Sequence, residues 1–331
     1  MQRALAISLF TILIISERQV SNRFQLRGRA QGTTWQLTYY AQDSVIAARE
    51  MDSLLKAVDQ SLSTYIPGSL ISQFNRSEKG IQADQHLATV VNKALETYRD
   101  TEGLFDITIY PLTNAWGFGP EKMDSFPGED KIRQLAGCVS SSFLSWKNNF
   151  LEKSRPCVQL DPNGIAQGYT VDLMAMFLEC KGINKYVVEL GGEIRTRGRK
   201  PGGEKMAIGI EAPGTEFGFE PLQKVIYLDE GGVTTSGNYR RYVESGGTKI
   251  THLIDPKTGT TLRNELISVT VYAKDAITAD AYDNALMMMG LEKAMRFVEA
   301  RPDLAAHFVY FRKDGGIADT LSSRFRTLLQ H

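Results

Sequence analysis

Three polar side chains near residue 280 have the types and the spacing of a magnesium site. The segment KDAITADAYDNALMMMG contains Asp280, Asp283 and Asn284, and Asp275 stands where a helix N-cap belongs. Residues three and four positions apart lie on one face of a helix, so the three side chains are expected to project together. Mg²⁺ prefers oxygen ligands, commonly one or two carboxylates plus substrate phosphates. The polar border of a solvated helix has the same pattern, so both interpretations stay open at this point.

The stretch from Leu160 to Gly192 is predicted to form a turn, a helix and a strand. Its turn, Asn163–Gly168, leads directly into the helix. The first N–H groups of a helix have no partner within it, and they attract phosphate. If the turn faces Asp280 and Asn284, the two stretches would bracket a diphosphate with Mg²⁺, which offsets charge during phosphoryl transfer. An ordinary helix–strand connection looks similar, so the turn alone leaves this alternative open.

His252 is the histidine best suited to act as a general base. It lies at a predicted strand end in KITHLIDPKTG, and an imidazole has a pKa near neutrality. A structural role for this single residue is the alternative. The cluster Thr234–Arg240 offers hydroxyls and a cation for phosphate, or else forms a β-bulge and a turn. His86 and His331 are interpreted as surface residues, and His307 as a candidate core residue.

The elements that must position these residues do not repeat a βαβ unit. We predict helices near 43–62, 84–101, 130–135, 166–183, 275–289 and 291–300 and at the C-terminus, and an extended segment at 104–108. We predict strands at 33–40, 186–190, 194–199, 205–211, 224–229, 232–236, 241–244, 249–254, 266–273 and 307–311, and a strand pair within 143–158. The pattern indicates an α+β fold in which helices pack on a mixed or antiparallel sheet.

Composition and charge argue against nucleic acid as a partner. The sequence has 331 residues, with 38 Lys plus Arg and 38 Asp plus Glu, so its net charge is zero. A neutral chain has no overall field that draws it to nucleic acid, and no long basic run with interleaved aromatic residues occurs. The length is sufficient for one large domain with a sizeable core.

Residues 1–22 are predicted to form an export signal or N-terminal tether, followed by one domain at 23–331. Arg3 provides a positive start, and the apolar run Ala4–Ile15 has the length of a secretory signal. The run is too short to span a bilayer as a helix in a mature protein. No Cys follows it, so the acceptor thiol of a bacterial lipoprotein is missing. We therefore expect an exported, periplasmic protein that associates with the inner membrane.

The three cysteines do not have the spacing of a zinc site or of a disulfide framework. Cys138 and Cys157 are able to pair in an oxidising compartment, although nothing in the sequence requires it. Cys180 lies on the helix that follows the turn at residue 163, and we interpret it as a small buried apolar residue.

Taken together, the motifs resemble the ApbE-type family of FAD:protein FMN transferases, from about Gln31 to the last strand. Eight segments carry the resemblance in order: GTTW, LSTYIPGSLISQFN, GLFDITIYPLTNAWGFGP, DPNGIAQGYTVD, VELGGEIRTRG, TTSGNYRRY, THLIDPKTG and TADAYDNALMMMG. The resemblance implies a single large α+β domain related to T-folds. It also implies binding of FAD as a substrate with Mg²⁺, and transfer of FMN to a Thr hydroxyl of an acceptor protein with release of AMP.

The resemblance also assigns roles to individual residues. Those implied at the FAD site are Gln31, Tyr65, Leu104, Phe105, Asp106, Asn163, Tyr169, His252 and Ile254. Those implied at the metal site are Ala166 through its carbonyl, Asp280, Asp283 and Asn284, and His252 would be the catalytic base. The chain departs from the family at Gln31, where Met is common, at Gln167, where Lys is frequent, and at Asn284, where Thr is common.

Two other functions share much of this pattern. A metal-dependent FAD pyrophosphatase would give FMN and AMP without an acceptor, and a non-catalytic FAD-binding protein of the cell envelope would leave FAD intact. For the transferase, the expected acceptor is a protein of the redox-pump subunit type with a Thr-containing flavinylation motif.

Overall fold

The computed structural model describes residues 21–121, 125–210, 224–238, 242–245 and 248–330. Its α-helices are α1 (Ala48–Leu62), α2 (Leu70–Arg76), α3 (Gln85–Asp100), α4 (Tyr110–Ala115), α5 (Glu129–Ala136), α6 (Ala166–Cys180), α7 (Ala276–Met289), α8 (Leu291–Glu299) and α9 (Ser323–Leu328). Its strands are β1 (Asn22–Ala30), β2 (Thr33–Ala41), β3 (Gly80–Gln82), β4 (Leu144–Lys147), β5 (Phe150–Lys153), β6 (Tyr186–Leu190), β7 (Glu193–Arg197), β8 (Met206–Ile210), β9 (Lys224–Leu228), β10 (Glu230–Gly237), β11 (Tyr242–Ser245), β12 (Thr248–Thr251), β13 (Leu266–Ala273), β14 (Ala305–Phe311) and β15 (Ile317–Leu321).

The main sheet of the described chain has eight strands in the order β1-β2-β6-β7-β10-β13-β14-β15. Each neighbouring pair is antiparallel. In β2, alternate residues Trp35, Leu37 and Tyr39 are buried and pack with apolar residues of α1 and α6. The predicted α+β class with an antiparallel sheet is confirmed.

Helices α6 and α7 cross at the centre of the molecule. Helix α7 contacts β10 and β13 on one side and α3 and α6 on the others, so most of its residues are buried. Gly168 permits the close approach of α6 and α7, because a Cβ atom there would lie 2.4 Å from the carbonyl oxygen of Ala276. This crossing brings the beginning of α6 next to the middle of α7.

Some local predictions were wrong. Helix α1 begins at Ala48 rather than after Asp43 or Ser44, and the Glu50 carboxylate accepts a 2.9 Å hydrogen bond from the Ala47 N–H at its start. The segment 104–108 forms turns instead of an extended strand. Strands β1 and β15 and the short helices α2 and α4 were not predicted as such, because short elements carry few periods of a hydrophobic pattern.

The cysteines and histidines also differ in part from expectation. Cys138 and Cys157 form a disulfide with their Cα atoms 5.5 Å apart, whereas Cys180 is exposed. The burial prediction for Cys180 was wrong because α6 turns Val171, Met174 and Leu178 inward instead. His307 is a core residue at 2% exposure, and His86 is half-buried rather than a surface residue.

Two expectations for the ends of the chain fall outside the described residues. These are the export signal, in residues 1–20, and the surface position of His331. Within the residues that the structure does describe, no helix is both long and apolar enough to cross a membrane.

Candidate active site

A cavity of about 1060 Å³ lies where the β1–β2 turn, the end of α1, the start of α6 and the polar face of α7 meet. Twelve of the thirteen predicted site residues line it: Gln31, Tyr65, Leu104, Phe105, Asp106, Asn163, Ala166, His252, Ile254, Asp280, Asp283 and Asn284. The structure therefore places residues from six separate parts of the sequence around one space. Their individual roles stay predictions.

Tyr169 is the exception. Its side chain is 7% exposed and belongs to the core cluster that includes apolar residues of α3. Its hydroxyl lies 2.7 Å from Nδ1 of His86, and burial raises the pKa of the Tyr169 hydroxyl to about 12. Tyr169 is not among the residues that line the cavity, because α6 directs its ring towards α3. The role implied for Tyr169 at the FAD site stays a prediction, and the structure shows its ring in the core rather than on the cavity wall.

The two aspartates of α7 are buried rather than solvated. Asp280 and Asp283 are 4% and 2% exposed, so the interpretation of this face as a solvated border was wrong. Asp280 Oδ2 accepts a 2.8 Å hydrogen bond from the Gly168 N–H, and Asp283 Oδ2 accepts a 2.8 Å hydrogen bond from Thr234 Oγ1. Backbone and β10 contacts thus fix both carboxylates at the cavity wall.

The third polar residue of this face, Asn284, has its amide oxygen oriented by β10. Ser236 Oγ donates a 3.1 Å hydrogen bond to Asn284 Oδ1. Gly164 of the opposing turn lies so close that a Cβ there would be 3.1 Å from Asn284 Nδ2. The start of the 163–168 turn and the acidic helix face are therefore in direct proximity, as the sequence predicted.

The charge distribution at this wall favours a cation. Burial, and then repulsion from Glu193, raise the pKa of Asp280, while burial and repulsion from Asp280 raise the pKa of Asp283. Asp283 Oδ1 is buried without a hydrogen-bond partner. Among the described residues lining the cavity there is no Lys or Arg. A bound cation would offset the repulsion and supply a partner for the Asp283 oxygen.

The donor set suits Mg²⁺ better than a softer metal. Two carboxylates, the Asn284 amide oxygen and the Ala166 carbonyl are all hard oxygen ligands. No group of three or more His, Cys, Asp or Glu with metal-binding geometry occurs in the part of the chain described here, which leaves a mixed oxygen site as the candidate. The residues present therefore fit the implied ion.

A hydrogen-bonded chain leads from the β1–β2 turn to Ala166. Gln31 adopts a left-handed conformation (φ 50°) beside Gly32 (φ 75°), as a tight two-residue hairpin turn requires. Gln31 Nε2 donates to Thr170 Oγ1 at 3.0 Å, and Thr170 Oγ1 donates to the Ala166 carbonyl at 2.6 Å. Gln31 thus orients a predicted metal ligand in addition to lining the cavity.

The backbone N–H groups at the start of α6 are less available to bind phosphate than the sequence predicted. The Ala166 N–H donates to Pro162 O at 2.8 Å, and the Gly168 N–H donates to Asp280. The expectation that the turn exposes free backbone N–H groups to phosphate was wrong for these two amides. A diphosphate at this wall would be held mainly through a cation.

Asp106 shapes a further part of the cavity wall. Its Oδ1 accepts hydrogen bonds from the Thr108 N–H, Thr108 Oγ1 and Ser141 Oγ at 2.9, 2.7 and 2.7 Å, and its Oδ2 accepts one from the Ser141 N–H at 3.0 Å. These bonds fold the segment 104–108 into turns, so that Leu104 and Phe105 face the cavity. The sequence carries no local signal for the contribution of Ser141.

His252 faces the cavity beside Phe118, with ring centroids 6.3 Å apart in an edge-on arrangement. The following loop is held in place because Trp116 Nε1 donates a 2.8 Å hydrogen bond to Gly259 O. The loop at 116–119 therefore walls the pocket and packs on a core edge. Glu193 and Asp59 also line the cavity and were not predicted, since strand and helix patterns alone do not identify such residues.

The chain is similar to proteins of one known family over most of its length. The model of the ApbE family matches residues 31–308. The FAD:protein FMN transferase of Vibrio cholerae is 34% identical over 325 residues, covering 96% of both chains. That of Escherichia coli K12 is 33% identical over 315 residues, covering 92% of this chain and 88% of its own.

Two solved structures share the fold. The flavin transferase ApbE from Vibrio cholerae superposes with a TM-score of 0.84 at 33% identity, covering 94% of this chain and 100% of that one. The apo form of the Pseudomonas stutzeri flavinyl transferase ApbE gives the same TM-score and identity, covering 94% of this chain and 98% of that one.

Proposed function

This chain belongs to the ApbE family and is an FAD:protein FMN transferase, and from that premise we propose a Mg²⁺-dependent transfer of FMN from FAD to a Thr or Ser hydroxyl of an acceptor protein. The observation that carries the metal dependence is the buried pair Asp280 and Asp283, which lies beside the start of α6 with Asp283 Oδ1 unpartnered. Such a pair is costly to bury without a cation.

Four groups would hold the ion: the carboxylates of Asp280 and Asp283, the Asn284 amide oxygen and the Ala166 carbonyl. When bound, Mg²⁺ would neutralise charge on the diphosphate of FAD. The aromatic rings of FAD have apolar and aromatic surface available from Tyr65 and Phe105 of the cavity wall. Tyr65 is 56% exposed, which leaves its ring available for stacking.

The reaction then exchanges the phosphoanhydride linkage of FAD for a phosphoester linkage to the acceptor. The acceptor oxygen bonds to the phosphorus on the FMN side, the bond from that phosphorus to the bridging oxygen breaks, and AMP leaves with that oxygen. His252 accepts the hydroxyl proton, since it lines the same cavity and an imidazole is basic at neutral pH. With water in place of the acceptor, the same chemistry gives FMN and AMP.

The departures at three positions are compatible with this reaction. Asn284 supplies a hard amide oxygen in place of a hydroxyl, so the metal site retains an oxygen ligand at this position. Gln167 removes a positive charge, which increases the dependence of diphosphate binding on the cation. Gln31 orients Thr170 and through it Ala166.

We extend the proposal to the partner and the location. The acceptor is a protein of the redox-pump subunit type with a Thr-containing motif, and the enzyme works in the periplasm at the inner membrane. The apolar run Ala4–Ile15 with Arg3 supports export.

The test is incubation of the full chain with FAD, Mg²⁺ and a Thr-containing acceptor domain. We expect a fluorescent acceptor band in a denaturing gel, an FMN adduct by mass spectrometry, and AMP in equal amount. FMN and AMP in solution with an unmodified acceptor would instead identify a pyrophosphatase. FAD that survives long incubation would identify a binding protein.

A further inference from the structure

We propose that Asp172 is a positioning residue for the metal site, because it ties the N-terminus of α7 to the middle of α6. The inference rests on the proposed function, since it concerns the ion that Asp280 and Ala166 would share. Asp172 does not line the cavity and has no role in the proposed chemistry.

The Asp172 side chain connects helix α6, on which it lies, to the beginning of helix α7. Its side chain, on α6, accepts hydrogen bonds from the N–H groups of Ala276 at 3.0 Å and Ile277 at 2.8 Å, the first two residues of α7. The two oxygens are used separately, one for each N–H. A carboxylate here also interacts favourably with the positive end of the α7 dipole.

Arg195 holds this carboxylate in place. Arg195 Nε lies 3.6 Å from Asp172 Oδ1, and the two side chains are only 17% and 14% exposed. Arg195 Nη1 also donates to the carbonyl of Lys274, just before α7 begins. The start of α7 is therefore fastened to α6 and to β7 at the same point.

The connection matters because the predicted ligands are divided between the two helices. The Ala166 carbonyl lies on α6, about two turns before Asp172, and the Asp280 carboxylate lies on α7, one turn after Ala276. The Gly168–Asp280 hydrogen bond joins the helices at the cavity, and Asp172 joins them further along. Together these two contacts fix the predicted metal ligand on α6 relative to those on α7.

Asp275 provides a matched control at the same helix end. It also caps α7, accepting a hydrogen bond from the Thr278 N–H at 3.1 Å, but this bond stays within the local chain. Replacing either aspartate by asparagine removes one negative charge from the same helix end, and asparagine at position 275 still caps the helix through its side-chain oxygen. Of the two substitutions, only that of Asp172 removes a contact between α7 and α6.

The experiment compares the wild type, Asp172→Asn and Asp275→Asn in the full chain. Asparagine replaces one of the two oxygens with an NH₂ donor, so one of the two N–H groups loses the oxygen that it uses in the wild type. Binding of Mn²⁺, used as a spectroscopic substitute for Mg²⁺, is followed by electron paramagnetic resonance without FAD. The Mg²⁺ dependence of FAD turnover and the thermal midpoint are measured on the same samples.

We expect Asp172→Asn to weaken Mn²⁺ binding about tenfold, a typical effect for a group that orients metal ligands. Its kcat should return close to the wild-type value at saturating Mg²⁺. Asp275→Asn should keep the thermal midpoint close to the wild-type value, because asparagine also caps the helix, and its Mn²⁺ affinity should change less than twofold. Arg195→Met should weaken Mn²⁺ binding in the same direction, and it replaces Asp172→Asn if that variant fails to fold.

Equal Mn²⁺ affinities for the wild type, Asp172→Asn and Arg195→Met would overturn the inference while leaving the proposed function intact. So would equal weakening by Asp172→Asn and Asp275→Asn. Absence of Mn²⁺ binding by the folded wild type would overturn the metal site itself and this inference with it.

Discussion

Asp280 on α7 accepts a 2.8 Å hydrogen bond from the backbone N–H of Gly168 on α6, which joins segments 112 residues apart in the sequence. The bond places a buried carboxylate next to the turn at residues 163–168. It also occupies an amide that would otherwise be available to an anion. The proposed site therefore depends on a cation between this carboxylate and the substrate.

Replacing Asp280 should abolish Mg²⁺-dependent turnover without unfolding the protein. Asp280→Ala removes a predicted ligand, so FMN release from FAD should fall more than about 100-fold, beyond the usual cost of losing an outer-shell group. The lost hydrogen bond is offset in part by relief of repulsion with Asp283 and Glu193. Turnover is measured by chromatography of FMN and AMP, with exposed Asp314→Ala as the control. Retained turnover, or an unfolded variant, would contradict the metal role.

The metal-free protein should become more stable as the pH falls from 8 to 6. Burial raises the pKa values of Asp280 and Asp283, with added repulsion from Glu193 at Asp280 and from Asp280 at Asp283, and burial raises the pKa of Asp172 to about 6. A carboxyl with a raised folded-state pKa binds its proton first in the folded state, so stability increases as pH falls towards that pKa. With a chelator present, the thermal midpoint should therefore rise from pH 8 to pH 6.

Mg²⁺ should alter this profile because protons and the ion compete for the same oxygens. At saturating Mg²⁺ the midpoint should no longer rise on acidification, and the apparent Mg²⁺ affinity should weaken from pH 8 to pH 6. Asp283→Asn, which removes one member of the pair, should flatten the chelator profile. A midpoint that falls on acidification over this range in the presence of chelator would exclude the raised pKa values.

Gly168→Ala should destabilise the crossing of α6 and α7. In an exposed helix this change would be favourable by about 1 kcal/mol. Here the new Cβ would lie 2.4 Å from Ala276 O and 2.6 Å from Asp280 Cβ, and neither atom is the end of a flexible side chain. Overpacking of this kind costs about 1–3 kcal/mol, so the clash should dominate. Chemical denaturation measures the change, with Gly209→Ala, which meets no atom within 4 Å, as the neutral control.

Removing the disulfide should lower stability and weaken FAD binding. Cys138 and Cys157 are 19 residues apart, and closing a loop of this length contributes about 3 kcal/mol in the chain-entropy model. Cys138 also precedes Ser141, which holds Asp106 and the cavity wall. Denaturation and FAD titration of Cys138→Ser measure both effects. Exposed Cys180→Ser should match the wild type, and a Cys138→Ser variant that also matches it would refute the prediction.

His252→Ala should slow transfer more than it weakens FAD binding. Loss of a general base typically costs about 10²–10⁴-fold in rate. Transfer is followed by flavin fluorescence of the acceptor and FAD binding by titration. His86→Ala serves as the control because His86 is not among the cavity residues, although it contacts Tyr169. Equal losses of transfer and binding in His252→Ala would assign His252 a structural role.

The sequence alone determined the features that depend on near neighbours in the chain. The spacing of Asp280, Asp283 and Asn284 required a common helix face, and the alternation of Trp35, Leu37 and Tyr39 required a half-buried strand. The ordered motifs from Gln31 onwards indicated the family and with it most of the residues around the cavity. These inferences hold because helix and strand periods are local properties.

Only the tertiary structure decided which side of helix α6 faces the core and which faces solvent, because this helix has apolar residues on several sides. Helix α6 is packed on more than one side, so its sequence did not show that Tyr169 faces α3 or that Cys180 faces solvent. The contact between Asp172 and the start of α7 joins residues more than a hundred positions apart. Such contacts depend on how distant elements pack, and no short-range pattern of residue types specifies them.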